Sequence, residues 1–98
     1  MKLNAVNNEN ALLIELEGRL DTTTAPQLEA VLNESLAGKT LLTLDFAGLE
    51  YISSAGLRVL LSTQKTMNRQ GKMIIRNVCA DIMEIFDITG FVDILTIE

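Results

Sequence analysis

Two adjacent serines, Ser53 and Ser54, are the side chains of this sequence best placed for chemistry at the protein surface. They follow an apolar segment, residues 41–46, which predicts a strand covered on both faces. They precede an apolar stripe beginning at Leu57, which predicts an amphipathic helix. In an open α/β sheet the carboxyl ends of strands are where ligands and partners are usually met. A hydroxyl at this point therefore either caps the helix or is reached from outside.

Both uses of the hydroxyl have a physical basis. A serine at the start of a helix can accept a hydrogen bond from a free backbone N–H group, which contributes about 1 kcal/mol. A phosphate on Ser54 would instead lie against the free N–H groups and the positive end of the helix. It would add roughly −1.5 to −2 charge to a surface loop. Such a modification acts by repelling a partner, because nothing in the core has to move.

Enzymatic chemistry has little support in the sequence. There is no histidine, which removes the ordinary Ser-His pair and histidine metal ligands. Ile52 occupies the first glycine position of a nucleophile elbow, and the glycines form no phosphate-cradling loop. Asp21 and Asp45 both lie near predicted strand exits and could approach each other, but two carboxylates do not make an active site. We therefore expect no catalytic residue, no metal and no cofactor.

Composition and charge narrow the class of protein further. Eight basic and thirteen acidic residues leave a net charge of −5, which argues against a nucleic-acid partner. No apolar run approaches the length of a membrane span, and the first residues lack the pattern of a signal peptide. The single cysteine, Cys79, excludes an internal disulfide, favours a cytoplasmic location, and is expected to be a small buried side chain. With 98 residues, the chain is expected to form one domain over residues 1–98.

Hydrophobic periodicity predicts the elements that position the two serines. The first two strands are joined by a short polar turn and are expected to form an antiparallel hairpin. Thr24 and Gln27 have the spacing of a capping box at the start of the first helix. The predicted order is ββαβαβαβ, an α/β domain with a mixed sheet packed against helices. Its remaining elements are a strand at residues 72–78, a helix at residues 80–89 and a final strand at residues 92–97.

Four short motifs resemble one known family. They are residues 18–21 (Gly-Arg-Leu-Asp), residues 44–46 (Leu-Asp-Phe), residues 51–57 (Tyr-Ile-Ser-Ser-Ala-Gly-Leu) and residues 86–91 (Phe-Asp-Ile-Thr-Gly-Phe). In this order and spacing they resemble the STAS domain family, and within it the stand-alone bacterial anti-sigma factor antagonists. The third motif resembles the family's phosphorylation loop, with Ser53 where the best-known members have aspartate.

The resemblance implies a phosphorylation switch. Ser54 takes the place of the phosphorylated serine, with Ser53 as the alternative. The unmodified protein would bind an anti-sigma factor that is also a GHKL-type serine kinase, and phosphorylation would release it. A PP2C-type phosphatase would restore the unmodified form. The residues expected to bind the partner are Asp21, Thr22, Tyr51, Ser53, Ser54, Gly56, Leu57 and Arg58.

Two alternatives remain open at this point. Arg58, which stands where many members have glycine, would contact an acidic patch on a partner or pair with a phosphate on Ser54. The whole domain could instead serve, without phosphorylation, as an accessory subunit of a membrane transport complex or another signalling complex.

Overall fold

The computed structural model describes residues 1–98 as four strands, three helices and a final 3-10 turn. In chain order these are β1 (Lys2–Asn8), β2 (Ala11–Leu20), α1 (Ala25–Ser35), β3 (Leu41–Ile52), α2 (Ser54–Gln70), β4 (Lys72–Arg76), α3 (Ala80–Thr89) and the turn Phe91–Asp93. None of the helices is long and apolar enough to cross a membrane.

The strands form one mixed sheet in the order β1-β2-β3-β4. The pairing of β1 with β2 is antiparallel, as the short polar turn between them predicts. The pairings of β2 with β3 and of β3 with β4 are parallel, because a helix connects each of these pairs. The α/β class and the mixed sheet predicted from the sequence are therefore confirmed.

The core lies on one face of the sheet. Alternate residues of the strands are buried against the helices, namely Leu12, Ile14, Leu16, Leu42, Leu44, Phe46, Met73 and Ile75. The residues between them on β3, including Thr43 and Asp45, are only half-buried. The prediction that this strand is covered on both faces is therefore wrong, because the helices leave the opposite face of the sheet open.

The central strand is longer than its apolar run indicates. It continues to Ile52, and the register between β2 and β3 shifts twice along this extension. Such irregularities bend a strand and change which side chains face inward. Phe46, Leu49 and Ile52 are all buried as a result. Only Ser53 separates the end of β3 from the beginning of α2.

The end of the chain differs from the predicted final strand. The backbone at Gly90 has φ 80°, which ends α3, and the chain then makes the 3-10 turn. Only Ile97 pairs with the sheet, in an isolated parallel bridge to Ile75. The predicted strand at residues 92–97 is therefore wrong, since the turn takes up the residues that would have paired. The last helix begins and ends where it was predicted.

The sulfur-containing residues divide between core and surface. Met67 and Met73 are fully buried and fill the core. Cys79 was expected to be buried, but its side chain is exposed. It lies beyond the end of β4 and immediately precedes α3, so the chain has already left the core at this point.

Candidate functional site

The junction between β3 and α2 is fixed to the end of β2. Ser53 has an extended backbone, with φ −101° and ψ 177°, and Ser54 is the first residue of the helix. The Ser53 N–H donates to the Leu20 carbonyl at 2.9 Å, and the Ser53 carbonyl accepts the Leu57 N–H at 3.0 Å. The backbone of both serines is therefore held by the sheet on one side and by the helix on the other.

The two serine hydroxyls lie in different environments. Ser54 is exposed at the first turn of α2. The Ser53 Oγ is buried and has no hydrogen-bond partner, and it does not cap the helix. Of the two hydroxyls, the one on Ser54 is reached from solvent, and the capping role considered for Ser53 is not realised.

Gly56 and Leu57 lie beneath the loop. A Cβ on Gly56 would come within 2.8 Å of Ile52 Cγ1 and within 2.8 Å of Leu20 Cγ. Leu57 is only 9% exposed and belongs to the core. These two residues, expected among the partner contacts, face the interior. Their contribution is to hold the first turn of α2 close to the sheet.

Asp21 organises the loop between β2 and α1. Its carboxylate accepts the Thr23 hydroxyl at 2.8 Å and the Thr23 N–H at 3.0 Å, and the Thr24 N–H donates to it at 3.2 Å. The hydrogen bond from the Thr23 hydroxyl is the largest cause that lowers the pKa of Asp21. The Thr24 hydroxyl donates to the Arg19 carbonyl at 2.7 Å, so the predicted capping box of Thr24 with Gln27 is wrong. The Asp21 carboxylate, and not a capping box, accepts the hydrogen bonds from the N–H groups of Thr23 and Thr24.

Arg19 was missed by the sequence reasoning. Its guanidinium carbon lies 4.2 Å from the centroid of the Tyr51 ring, a cation–π distance. Its Nε also lies 3.8 Å from the Asp21 carboxylate. Arg19 and Tyr51 are cross-strand neighbours in the register of β2 and β3. A parallel pairing of β2 with β3 could have indicated that Arg19 and Tyr51 are neighbours. The register shift between Gly18 and Arg19 made this pair impossible to identify from residue spacing alone.

A cleft of about 430 Å³ opens beside Ser54, between α1 and α2. Arg58 lies on its rim and is exposed to solvent, and Thr22 lines it from the loop before α1. The structure therefore brings Thr22 and Arg58 to one surface next to the serine. The residues that line the cleft are Thr22, Ala25, Pro26, Glu29, Ala55, Arg58, Val59 and Ser62.

Asp45 does not join this site. The register places it opposite Glu15, far along the strand from Asp21, so the two aspartates, which the sequence allowed to approach each other, lie apart. Its carboxylate accepts the Asn77 side-chain amide at 3.0 Å and the Ala47 N–H at 2.9 Å. The Asn77 hydrogen bond is the largest cause that lowers the pKa of Asp45, and nearby Arg76 acts in the same direction.

The fold and the junction define a small mixed-sheet α/β domain that presents one exposed serine where a central strand meets its helix. This chain belongs to the STAS domain family, whose model matches residues 2–98. The resemblance inferred from the four motifs is confirmed.

Relatives similar to this chain include two bacterial anti-sigma factor antagonists. The chain is 35% identical to the candidate anti-sigma factor antagonist BtrV of Bordetella bronchiseptica, over 99% of this chain and 85% of that protein. It is 30% identical to the anti-sigma-B factor antagonist of Bacillus subtilis, over 93% of this chain and 84% of that protein.

Solved structures show the same fold. The Bacillus anti-sigma factor antagonist SpoIIAA matches with a TM-score of 0.77 in both its unphosphorylated and its phosphorylated form. The identities are 17% and 18%, and each match covers 99% of this chain and 87% or 91% of the SpoIIAA chain.

Proposed function

We propose that this protein is an anti-sigma factor antagonist whose binding surface is switched by phosphorylation of Ser54. Unmodified, it binds an anti-sigma factor in the bacterial cytoplasm and so frees a sigma factor. When Ser54 is phosphorylated, the protein releases the anti-sigma factor. The family and the names of the relatives support the class of partner. The observation that carries the choice of residue is that Ser54 is exposed while the neighbouring Ser53 Oγ is buried.

The domain serves as the substrate of the modifying enzymes, not as a catalyst. The kinase is the anti-sigma factor itself, of the GHKL type, and a PP2C-type phosphatase removes the phosphate. Residues 1–98 act as a single binding domain. The relatives named above favour this function over that of a transport accessory subunit.

The physical basis of the switch is a change of charge on a fixed scaffold. The backbone on both sides of Ser54 is hydrogen-bonded, and Gly56 and Leu57 pack beneath it. A phosphate at the exposed Ser54 hydroxyl adds roughly −1.5 to −2 charge without entering the core. The occurrence of SpoIIAA in both forms with the same TM-score to this chain supports a switch that leaves the fold in place.

The function is tested by phosphate transfer from ATP, using a GHKL-type anti-sigma factor encoded in the same genome as the kinase. The unmodified protein and Ser53→Ala are expected to take up phosphate, whereas Ser54→Ala is not. Ser53→Ala is a matched control because it removes a hydroxyl from the adjacent residue. Phosphate uptake that survives in Ser54→Ala and disappears in Ser53→Ala would contradict the assignment.

Binding to the same anti-sigma factor supplies the second half of the test. Ser54→Asp should weaken binding while its melting temperature stays close to that of the parent, because the residue is exposed. Ser54→Asn is the matched control, with a side chain of similar shape and no charge. If Ser54→Asp bound as tightly as Ser54→Asn, a switch that acts through charge would be refuted.

Intact-mass measurement of the protein purified from its own organism tests whether Ser54 is phosphorylated in the cell. A fraction phosphorylated at Ser54 should change with growth conditions. Protein that carries no phosphate under any condition would argue for a constitutive binding domain.

A further inference from the structure

We propose that Arg58 is the residue through which phosphorylation of Ser54 releases the partner. In the unmodified protein Arg58 binds a carboxylate of a partner segment seated in the cleft between α1 and α2. A phosphate on Ser54 then takes Arg58 away from that carboxylate. This inference rests on the proposed function, because it requires a phosphate at Ser54.

Ser54 and Arg58 lie on the same exposed side of α2. They are a residue pair at helical spacing i and i+4, in the first two turns of the helix. Side chains at this spacing are neighbours, with Cβ atoms about 5 to 6 Å apart. Both residues are exposed, so neither has to leave the core for the pair to form. The acidic group is on the N-terminal side of the cation, which is the favourable orientation for such pairs.

Arg58 has no ionic partner of its own. The two ion pairs in the structure join Arg19 to Asp21 and Arg76 to Asp45. Glu29 lines the same cleft as Arg58 but forms no ion pair with it. Residue 53 is a serine, so no carboxylate directly precedes Ser54 to attract the guanidinium. In a chain of net charge −5, Arg58 is thus a free cation at the rim of a cleft.

The chemistry of the cleft indicates what kind of partner segment it takes. Its lining includes the apolar side chains of Ala25, Pro26, Ala55 and Val59. Arg58 and Glu29 are the charged residues that line it. A complementary segment presents a small apolar side chain to the cleft and a carboxylate to Arg58. Arginine suits this task, because its planar fork of donors can bind a carboxylate through two hydrogen bonds.

A phosphate on Ser54 competes for the same guanidinium with two advantages. It is attached to the same helix, so its effective concentration beside Arg58 is high. It also carries more charge than a carboxylate and offers three acceptor oxygens. Phosphorylation therefore both adds negative charge and removes the one cation that the partner's carboxylate uses.

The pairing is tested first without any partner, by ³¹P NMR titration of protein carrying phosphoserine at residue 54. A neighbouring cation favours the doubly charged phosphate and so lowers its second pKa. We expect this pKa to be about 0.2 to 0.4 unit lower in the parent than in Arg58→Gln. Lys65→Gln is the matched control, since Lys65 is an exposed cation further along α2. Equal values in the parent and Arg58→Gln, or a larger effect from Arg19→Gln, would overturn the proposal.

The release step is tested by a double-mutant cycle on the anti-sigma factor used above. Arg58→Gln should weaken binding of the unmodified protein about tenfold, and Lys65→Gln should not. Phosphorylation of Ser54 should then reduce the affinity of Arg58→Gln by a factor about tenfold smaller than it reduces that of the parent. Strictly additive effects would overturn the proposal.

The two tests separate this inference from the function on which it rests. Phosphorylation that releases the partner equally from the parent and from Arg58→Gln leaves the proposed function standing and refutes the role of Arg58. A lowered phosphoserine pKa in a protein that binds no anti-sigma factor refutes the proposed function, and with it the release role of Arg58.

Discussion

Replacing Gly56 by alanine tests how closely α2 must approach the sheet to present Ser54. In an ordinary helix this change is favourable by up to about 1 kcal/mol, because alanine loses less backbone entropy than glycine. Here the new methyl group would lie 2.8 Å from Ile52 Cγ1, 2.8 Å from Leu20 Cγ and 3.0 Å from Leu20 Cδ2. These distances are shorter than non-bonded carbon atoms normally approach, so either α2 or the side chains of Leu20 and Ile52 must shift.

The neighbours of Gly56 have little freedom to move. Leu20 and Ile52 are cross-strand partners at the ends of β2 and β3, and both are buried. Inserting a methyl group into such packing costs about 1 to 3 kcal/mol, and two close contacts favour the upper value. Subtracting the gain in helix propensity leaves a net loss of about 2 kcal/mol. For a domain of this size the melting temperature should fall by about 8 to 16 °C.

Urea unfolding and thermal melting of Gly56→Ala measure this loss directly. Ser62→Ala, at an exposed position of the same helix, is the control and should differ little from the parent. Leu20→Ala in the Gly56→Ala background should be less destabilising than Leu20→Ala alone, because it removes one of the clashing side chains. A Gly56→Ala protein as stable as the parent, or more stable, would refute the close-approach argument.

Three further predictions follow from single contacts. Asp45→Asn should lower the free energy of unfolding by about 1 kcal/mol at pH 7, since the lowered pKa of Asp45 means that folding favours its charged form. The stabilisation by ionised Asp45 is fully present above the ordinary carboxyl pKa and is lost as the pH falls through the lowered pKa. The urea midpoints of the parent and of Asp45→Asn should therefore converge in acid. Ser53→Ala should leave the free energy of unfolding unchanged or raise it by up to about 1 kcal/mol, because it removes a buried hydroxyl that makes no hydrogen bond, whereas replacing a capping serine would lower it by about 1 kcal/mol. Cys79 should react with Ellman's reagent in the native protein within minutes, and a thiol that reacts only after denaturation would contradict its exposure.

The sequence was most informative where local chemistry decides the structure. The apolar alternation around Ile14 and the polar turn after Asn7 predicted the hairpin, because side-chain period and turn residues act over a few residues. The small residues after Ile52 indicated the strand-to-helix junction for the same reason. That Ser54 rather than Ser53 has the reachable hydroxyl was expected from the resemblance alone, since burial of one oxygen depends on the packing of β2, β3 and α2 together.

The errors arose where distant parts of the chain decide the outcome. The extension of β3 to Ile52 depends on bulges in its pairing with β2, which no local pattern in residues 47–52 reveals. The segment around Ile94 is rich in apolar residues, as strands often are, but the 3-10 turn leaves only Ile97 able to reach β4. Cysteine is a residue type that is usually buried, but Cys79 lies in the connection between β4 and α3 and is exposed. In each case the tertiary arrangement overrides a correct local preference.

The two edges of the sheet differ in how much backbone they leave open to a second copy of this protein. At β4 the chain itself covers the edge at one residue, Ile75, which donates to Thr96 and accepts from Glu98. At the other edge of the sheet no strand pairs with the outer side of β1, and Lys2 is the one charged residue of that strand. A filament of stacked sheets needs two open edges on every copy. Pairing of two β1 strands would give a closed two-fold pair, and further growth would have to use the part of β4 that lies outside the contacts of Ile75.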